Sequence, residues 1–434
     1  MPTTTRYRHR WAALAVLLTA EAMNLLDATI VQVAGPVIHA GLPGPAADIP
    51  WFSAAYTLPF AALLITGGRL GDVFGRARAF KIGVTAFVLA SLACAAAPDA
   101  GLLIGARAVQ GAAAALIIPQ TIGLIRALFD GDELAKALGS IGPVMGLSAV
   151  TGPLLGGLLT QALSWRAVFL VNVPLGLAVL LAARFLREDK AATRPKLDVV
   201  GTVLVVAGAG LLVYPLISPA GTSWPLLAAG AALLVVFGVQ QRRTAAPLVE
   251  PSLFAHRGFP AALAGSLLYF AVMTGLMLLV PLRLQLGDGV DVRTASLTLL
   301  PLSAGLAVSS WFAGSWLVPK FGARVMFAGL ALLLIGILAV AGGMTAALAL
   351  CGLGMGTFTV PFFAAALHRV RPHETGSAAG LLNAVQQLGG TLGVALLGGL
   401  YLADGTATTA FGVAAGLTVA AALAVIPLSS RRGR

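Results

Sequence analysis

The stretch Gly67-Gly68-Arg69-Leu70-Gly71-Asp72-Val73-Phe74-Gly75-Arg76-Ala77-Arg78 decides the fold, because a degraded copy of it recurs far along the chain as Gly314-Ser315-Trp316-Leu317-Val318-Pro319-Lys320-Phe321-Gly322-Ala323-Arg324. Both copies carry glycines eight residues apart, a Phe directly before the second glycine, and basic residues after it. Each joins two long apolar stretches. Self-similarity over such a distance marks an internal repeat, and in a helical membrane protein it marks two related halves.

The surrounding composition fixes the class. The 434 residues are 58% apolar and only 10% charged, with a mean hydropathy of +0.93. A soluble chain of this length carries about a quarter charged residues, so a soluble fold is excluded. Disorder is excluded by the same composition. Cys94 and Cys351 are the two cysteines, set far apart in apolar runs, so they read as inert packing residues rather than a disulfide framework. The chain reads as an all-α polytopic membrane protein.

A helix needs about 20 mostly apolar residues to cross the hydrocarbon. That window predicts spans near 11–37, 50–68, 79–97, 101–121, 138–161, 167–185, 197–217, 224–240, 259–281, 295–317, 324–342, 345–367, 376–402 and 407–428, about fourteen in all. The middle decides between twelve and fourteen. Val199–Ile217 and Trp224–Val239 contain no charged residue, so they do not read as a cytoplasmic linker. The first loop follows the second span and its copy follows the tenth. With the seventh and eighth spans set aside, each loop lies between the second and third helices of a six-helix set. The predicted organisation is a bundle over residues 1–190, an inserted helix pair over 191–245, and a second bundle over 246–434.

The net charge of +12 suggests nucleic acid only until its placement is considered. With the N-terminus inside, the basic clusters at Arg6–Arg10, Arg69–Lys81, Arg126 with Lys136, Arg184–Lys196, Arg242 with Arg243 and Arg257, Lys320 with Arg324, Arg369 with Arg371, and Arg431–Arg434 all fall in cytoplasmic segments. Only Arg166, Arg283 and Arg293 fall outside, where Asp48, Asp99, Asp288, Asp291 and Asp404 also lie. This is the positive-inside pattern, and it places both termini in the cytoplasm. No nucleic-acid partner is expected. The N-terminal segment carries no cleavable signal pattern, and its apolar run reads as the first transmembrane helix.

Further motifs carry a resemblance. Gly68–Arg78 is similar to the cytoplasmic loop signature of the major facilitator superfamily, and Leu26-Asp27-Ala28-Thr29-Ile30-Val31 through Pro36 resembles the first-span signature of its fourteen-span drug:proton antiporter branch. Arg107-Ala108-Val109-Gln110-Gly111 resembles the fourth-span motif, and Gly146 followed by Gly152-Pro153-Leu154-Leu155-Gly156-Gly157 the fifth-span antiporter motif. Trp165-Arg166-Ala167-Val168-Phe169 with Asn172 and Pro174 resembles the start of the sixth span. The match covers nearly the whole chain. Gln32 stands where relatives often have Asn, and Pro319 holds the acidic position of the second loop, which suggests a weaker second latch. The resemblance implies two six-helix bundles that rock around a central site, with two extra central helices.

The residues support roles of their own. Asp72 is expected near a helix N-terminus, where the dipole favours a carboxylate, paired with Arg76 or Arg78. Gly68, Gly71 and Gly75 allow close approach and a tight turn. Together they read as a latch, against the plainer reading that the arginines serve topology alone. Glu21, Asp27 and Arg107 are the ionisable groups placed deep inside spans, where each costs about 3 kcal/mol or more unless paired, protonated or hydrated. Glu21, Asn24 and Asp27 are spaced by three and form a slowly drifting polar stripe. A carboxylate in low dielectric takes up a proton more readily, as a proton carrier requires. Arg107 cannot release its proton and acts as a fixed positive partner. Gln110 and Gly111 share its face. A permanent structural ion pair is the alternative.

In the fifth span, Gly139, Gly142, Gly146, Gly152 and Gly156, with Pro143 and Pro153, suit tight packing and bending. The resemblance implies that this helix, with Gly157, biases transport toward export. In the second half Asn383, Gln386 and Gln387 are the main polar cluster, suited to substrate or to interhelical hydrogen bonds. Tyr269, Met273 and Met277 recur every four residues, and Met273 is the candidate wall residue because methionine adapts to varied apolar shapes. His9, His39, His256, His368 and His373 show no ligand spacing, so no metal site is expected. No cofactor is expected either.

The expected activity is proton-coupled efflux of lipophilic or cationic drugs from a monomer in the bacterial inner membrane. One charge crossing 100 mV is worth roughly 2.3 kcal/mol, about 50-fold in concentration, which suffices without ATP. No GxxxxGK[ST] phosphate loop occurs. The alternative is a proton-coupled importer of a small nutrient on the same fold. A membrane-embedded enzyme would need clustered catalytic or metal-binding residues at one interface, and the sequence shows none. A channel is disfavoured by the missing charge rings.

Overall fold

The computed structural model describes residues 7–190, 196–218, 223–244, 247–255, 258–368, 370–371 and 374–429. Arg6, Arg194, Arg257, Arg369, Arg431, Arg432 and Arg434, counted above toward the charge asymmetry, lie outside the described residues. So do His256, His373 and the side chain of Asp404.

Local signals cut the apolar chain into helices. The first six predicted spans become α1 (Arg10–Ala40), α2 (Asp48–Phe74), α3 (Arg76–Ala96), α4 (Ala100–Leu128), a short α5 (Gly131–Gly139), α6 (Ile141–Ala162), and the broken pair α7 (Ala167–Leu170) and α8 (Asn172–Ala182). Two helices follow, α9 (Val199–Ile217) and α10 (Trp224–Gln241). The remainder comprises α11 (Gly258–Leu282), α12 (Val292–Thr298), α13 (Leu300–Phe312), α14 (Val318–Phe321), α15 (Val325–Ala341), α16 (Leu348–Leu367), α17 (Thr375–Asp404), α18 (Ala407–Ala424) and α19 (Ile426–Ser429). Aspartates start several of them. Asp99 accepts from Leu102 N at 2.8 Å, Asp198 from Gly201 N at 2.8 Å, and Asp291 from Arg293 N and Thr294 N. Each satisfies amides that a helix start leaves without partners. Between α2 and α3, Gly75 takes φ +107°, a conformation that side chains disfavour, so the turn needs glycine.

Among the described residues, thirteen helical segments are long and apolar enough to cross a membrane. One of them, Val292–Ala341, runs 50 residues and is broken by π-helical and 3-10 turns and by Gly322 at φ +63°.

The internal repeat is visible in the packing. In the first half α1 lies against α6, and α4 receives both α2 and α3. In the second half α11 lies against α17, and α16 receives both α13 and α15. These are the same pairings in the same order. The halves meet through α2 with α17, α1 with α11, and α6 with α12 and α13. The pair α9 and α10 pack on each other, and α9 reaches both α2 and α17. Of α10, only Gly230 and Gln241 are buried.

Candidate functional site

Asp27 is fully buried on α1; α4 and α8 bring partners to it, and α2 and α3 support those partners. Its Oδ2 pairs with Arg107 Nη1 of α4 at 2.5 Å. Its Oδ1 accepts from Gln110 Nε2 at 2.9 Å and from Asn172 Nδ2 of α8 at 2.7 Å. Arg107 also donates from Nε to the Phe52 carbonyl of α2 at 2.9 Å and from Nη1 to Gln110 Oε1 at 2.7 Å. The guanidinium carbon lies 4.4 Å from the centre of the Tyr56 ring, a distance at which an aromatic face stabilises a cation. Ser91 of α3 accepts from Gln110 at 2.8 Å and from Asn172 at 3.4 Å. The charges are therefore paired and almost fully hydrogen-bonded, the condition under which buried ions are tolerated.

The arrangement joins Asp27, Arg107 and Gln110, which the sequence singles out, and adds Asn172, Ser91 and Tyr56, which it does not. Asn172 lies in the Trp165–Pro174 motif, so its position was visible but its task was not. Ser91 and Tyr56 are ordinary residues in apolar helices, and only the three-dimensional arrangement marks them.

Beside this network the bonding is incomplete. Glu21 Oε2, Asn24 Nδ2 and the Tyr56 hydroxyl are buried with no hydrogen-bond partner among the described residues. Nothing at Glu21 Oε2 compensates a negative charge. Such groups are costly unless a proton, water or guest satisfies them.

The two halves touch at the end remote from the Gly68–Arg78 loop. Thr391 Oγ1 of α17 donates to Thr57 Oγ1 of α2 at 2.7 Å, and the Gln285 amide donates to the Val33 carbonyl at 2.9 Å. Here α1 is buried on every face from Ile30 to Pro36, and α11 from Gly275 to Leu282. Nearer the loop, Glu21, Met273, Asn383, Gln386 and Gln387 are only partly buried, and the face of Gly380 is open. Tyr269 instead bonds internally, donating to the Met355 carbonyl at 2.9 Å, while Met277 is buried. The cavity of about 100 Å³ lined by Phe259, Val370, Arg371 and Pro427 shares no residue with this site.

The antiporter-motif helix α6 divides in the same way. A side chain on Gly152 would meet Thr29 Oγ1, one on Gly156 the Ile30 carbonyl, and one on Gly157 the Ser296 hydroxyl of the other half. Around Gly142 and Gly146, as around Gly139 at the end of α5, there is open space. Close packing is thus confined to the remote half of the helix, which includes Pro153.

In the loop, Asp72 pairs with Arg76 at 2.9 Å, and Arg76 also pairs with Asp189 at 2.9 Å and donates to the Gly123 carbonyl. Arg78 is exposed, and its backbone amide rather than its guanidinium is engaged. Asp72 itself sits in the last turn of α2. The carboxylate at the start of α3 is Glu188, which accepts from Ala77 N at 3.0 Å and Arg78 N at 3.1 Å. The helix-dipole role expected of Asp72 at α3 thus belongs to Glu188, because the chain after α8 returns to this loop. In the second copy no acid replaces Pro319, and Lys320 lies over the rings of Trp316 and Phe321. Gly75→Ala is expected to destabilise the protein by about 1–3 kcal/mol through backbone strain and collision with Glu188. Thermal unfolding in detergent, with Gly412→Ala in open space as the reference, reads that difference.

Comparison with known proteins agrees with this architecture. The family model described as Major Facilitator Superfamily matches residues 17–394 and 324–434. The chain is 44% identical over 421 residues to a Streptomyces coelicolor protein named "Probable actinorhodin transporter", covering 91% of this chain and 73% of that one. It is 38% identical over 457 residues to a puromycin resistance protein of Streptomyces alboniger, covering 96% and 88%. It is 34% identical over 406 residues to a cephamycin export protein of Amycolatopsis lactamdurans, covering 89% and 84%. With its paired halves and the matched motifs on α1, α2, α4 and α6, the chain belongs to the Major Facilitator Superfamily, in its drug-efflux branch.

Proposed function

We propose that the protein exports lipophilic or cationic antibiotics across the bacterial inner membrane in exchange for protons, by alternating access. The observation that carries this reading is the Asp27–Arg107 pair, fully buried within one half, beside a seam between the halves that Thr57 and Thr391 close at the end remote from the loop. Relatives named for the export of, or resistance to, individual antibiotics support the direction.

The topology behind the proposal is fourteen crossings with both termini cytoplasmic. At about 1.5 Å per residue the segment Val292–Ala341 would be roughly 75 Å long, more than twice the hydrocarbon thickness, so it crosses twice with its turn near Gly322. The loop end is then cytoplasmic, and the closed end is outer.

In the state described, Asp27 is held by Arg107, Gln110 and Asn172. A proton arriving from the outside neutralises Asp27, weakens its grip on Arg107, and loosens α1 from α4 and α8. Glu21 is the second carrier. Its unpartnered oxygen, with the unpartnered Asn24 amide and Tyr56 hydroxyl, is a polar group that a proton or a cationic guest satisfies. Asn383, Gln386, Gln387 and Met273 line the opposing half. The protein works as a monomer in this scheme.

Inside-out vesicles with an acid lumen and ethidium as the probe test the reading. Added ethidium is expected to speed dissipation of the pH gradient as it enters the lumen. If neither ethidium nor a panel of lipophilic antibiotics moves protons, antiport is wrong.

A further inference from the structure

The inserted pair α9 and α10 is bound at its cytoplasmic end by an unusually complete set of polar contacts. Asp198 caps α9 and also accepts from Gln240 Nε2 at 3.0 Å and Gln241 Nε2 at 2.6 Å of α10. Gln241 Oε1 accepts from Val249 N at 3.1 Å, fixing the chain that leaves for the second half. The hairpin is then tied to α2. Thr66 and Thr202 hydroxyls lie 2.8 Å apart. Arg69 donates to the Lys196 carbonyl before α9 at 3.2 Å and to the Pro247 carbonyl after α10. One side chain of the latch loop thus holds both linkers of the inserted pair. At the opposite end of the same two helices, the rings of Tyr214 and Trp51 lie 6.1 Å apart.

Helix α9 therefore follows α2 from Thr202 to Tyr214, about 18 Å at the helical rise. Its meeting with the second half is of another kind. The Leu216 carbonyl faces Gly399 of α17 so closely that a side chain there would collide with it, and Leu216 supplies the nearest atoms. That contact is a close backbone approach, without a hydrogen bond between the two residues, and lies next to the outer seam at Pro50 and Gly398.

We propose that Arg69 is the positioning residue that fastens the inserted pair to the first half, and that α9 serves there as an outer seal, closing against Gly399 whenever the outer face is shut. The proposal rests on the rocking motion above. In that motion α17 must leave α2 and α9 together, so the pair adds its own contact to the closed state and sets how readily the outer face opens. A helix pair that merely floated at the edge would need neither the double grip of Arg69 nor a glycine at position 399.

The test uses the full-length protein carrying Thr57→Cys, labelled from outside by a membrane-impermeant maleimide. Thr57 is buried at the closed outer seam, and the native Cys94 and Cys351 are buried too. Gly399→Leu wedges α17 away from a fixed α9 and is expected to raise the labelling rate about tenfold. Adding Arg69→Ala lets α9 yield, and the rate is expected to return to within about twofold of the parent. Gly412→Leu, in open space, leaves it unchanged. No rise with Gly399→Leu overturns the seal. A rise that persists or grows with Arg69→Ala overturns the fastening role, and is also what simple unfolding would give. Labelling needs no proton gradient, so failure here leaves the antiport reading standing, and failure of antiport leaves this result unaffected.

Discussion

Asp27→Asn is expected to reduce gradient-driven efflux at least about 100-fold while the protein still inserts and purifies as a folded species. The substitution keeps the shape of the side chain, and its carbonyl still accepts from two of the three donors around it. What it loses is the negative charge opposite Arg107 and the ability to bind and release a proton. Removing one member of a buried pair costs about 3–5 kcal/mol, but the Tyr56 ring and the Phe52 carbonyl continue to stabilise the guanidinium. Folding therefore survives and coupling does not. Dye efflux from energised vesicles across a range of pH reads the loss. If the variant kept full, pH-dependent activity, the proton would belong to Glu21, whose buried oxygen already lacks a partner.

Arg107→Gln is expected to be more damaging to stability, because it leaves Asp27 charged with only amide donors about it. The double variant Asp27→Asn/Arg107→Gln is expected to recover most of the lost stability and none of the transport. A double-mutant cycle on thermal unfolding is expected to return an interaction of about 2–4 kcal/mol. Additive losses would mean that the two charges do not stabilise one another, which the fully enclosed geometry contradicts. Recovery of transport along with stability would mean that the pair is structural and that the coupling group lies elsewhere.

The architecture was legible because the bilayer enforces simple rules. Span length, the absence of charge from Val199–Ile217, and the duplicated loop are one-dimensional signals, and the predicted spans fall on α1 to α4, α6, the broken pair α7 and α8, α9 to α11, α13 and α15 to α18. The ion pair was legible for the same reason, since an Asp and an Arg stranded in apolar helices must find each other. Its supporting ring was not. Asn172, Ser91 and Tyr56 acquire their tasks from the crossing of α8, α3 and α2 beside Asp27, and no periodicity encodes such a crossing. The latch was half legible. Asp72 with Arg76 is a local pair four residues apart, whereas Glu188 and Asp189 come from a segment more than a hundred residues later. Their only signal was an acidic doublet amid the basic cluster at Arg184, Arg187 and Lys190. In α6 the glycine pattern is uniform along the helix, while the packing is not. Close contact depends on what stands opposite, and only the remote half has a neighbour there.

Every side chain that holds Asp27 belongs to the first half, while the spans of the second carry no acid of their own. If the second half lines the substrate path as proposed, such a division of labour leaves that wall free to diversify. On the proposed mechanism, substitutions around Asn383, Gln386 and Gln387 under selection by an unfamiliar toxin reshape what is admitted without disturbing the engine that drives expulsion, so a lineage changes its antidote repertoire while inheriting the same motor.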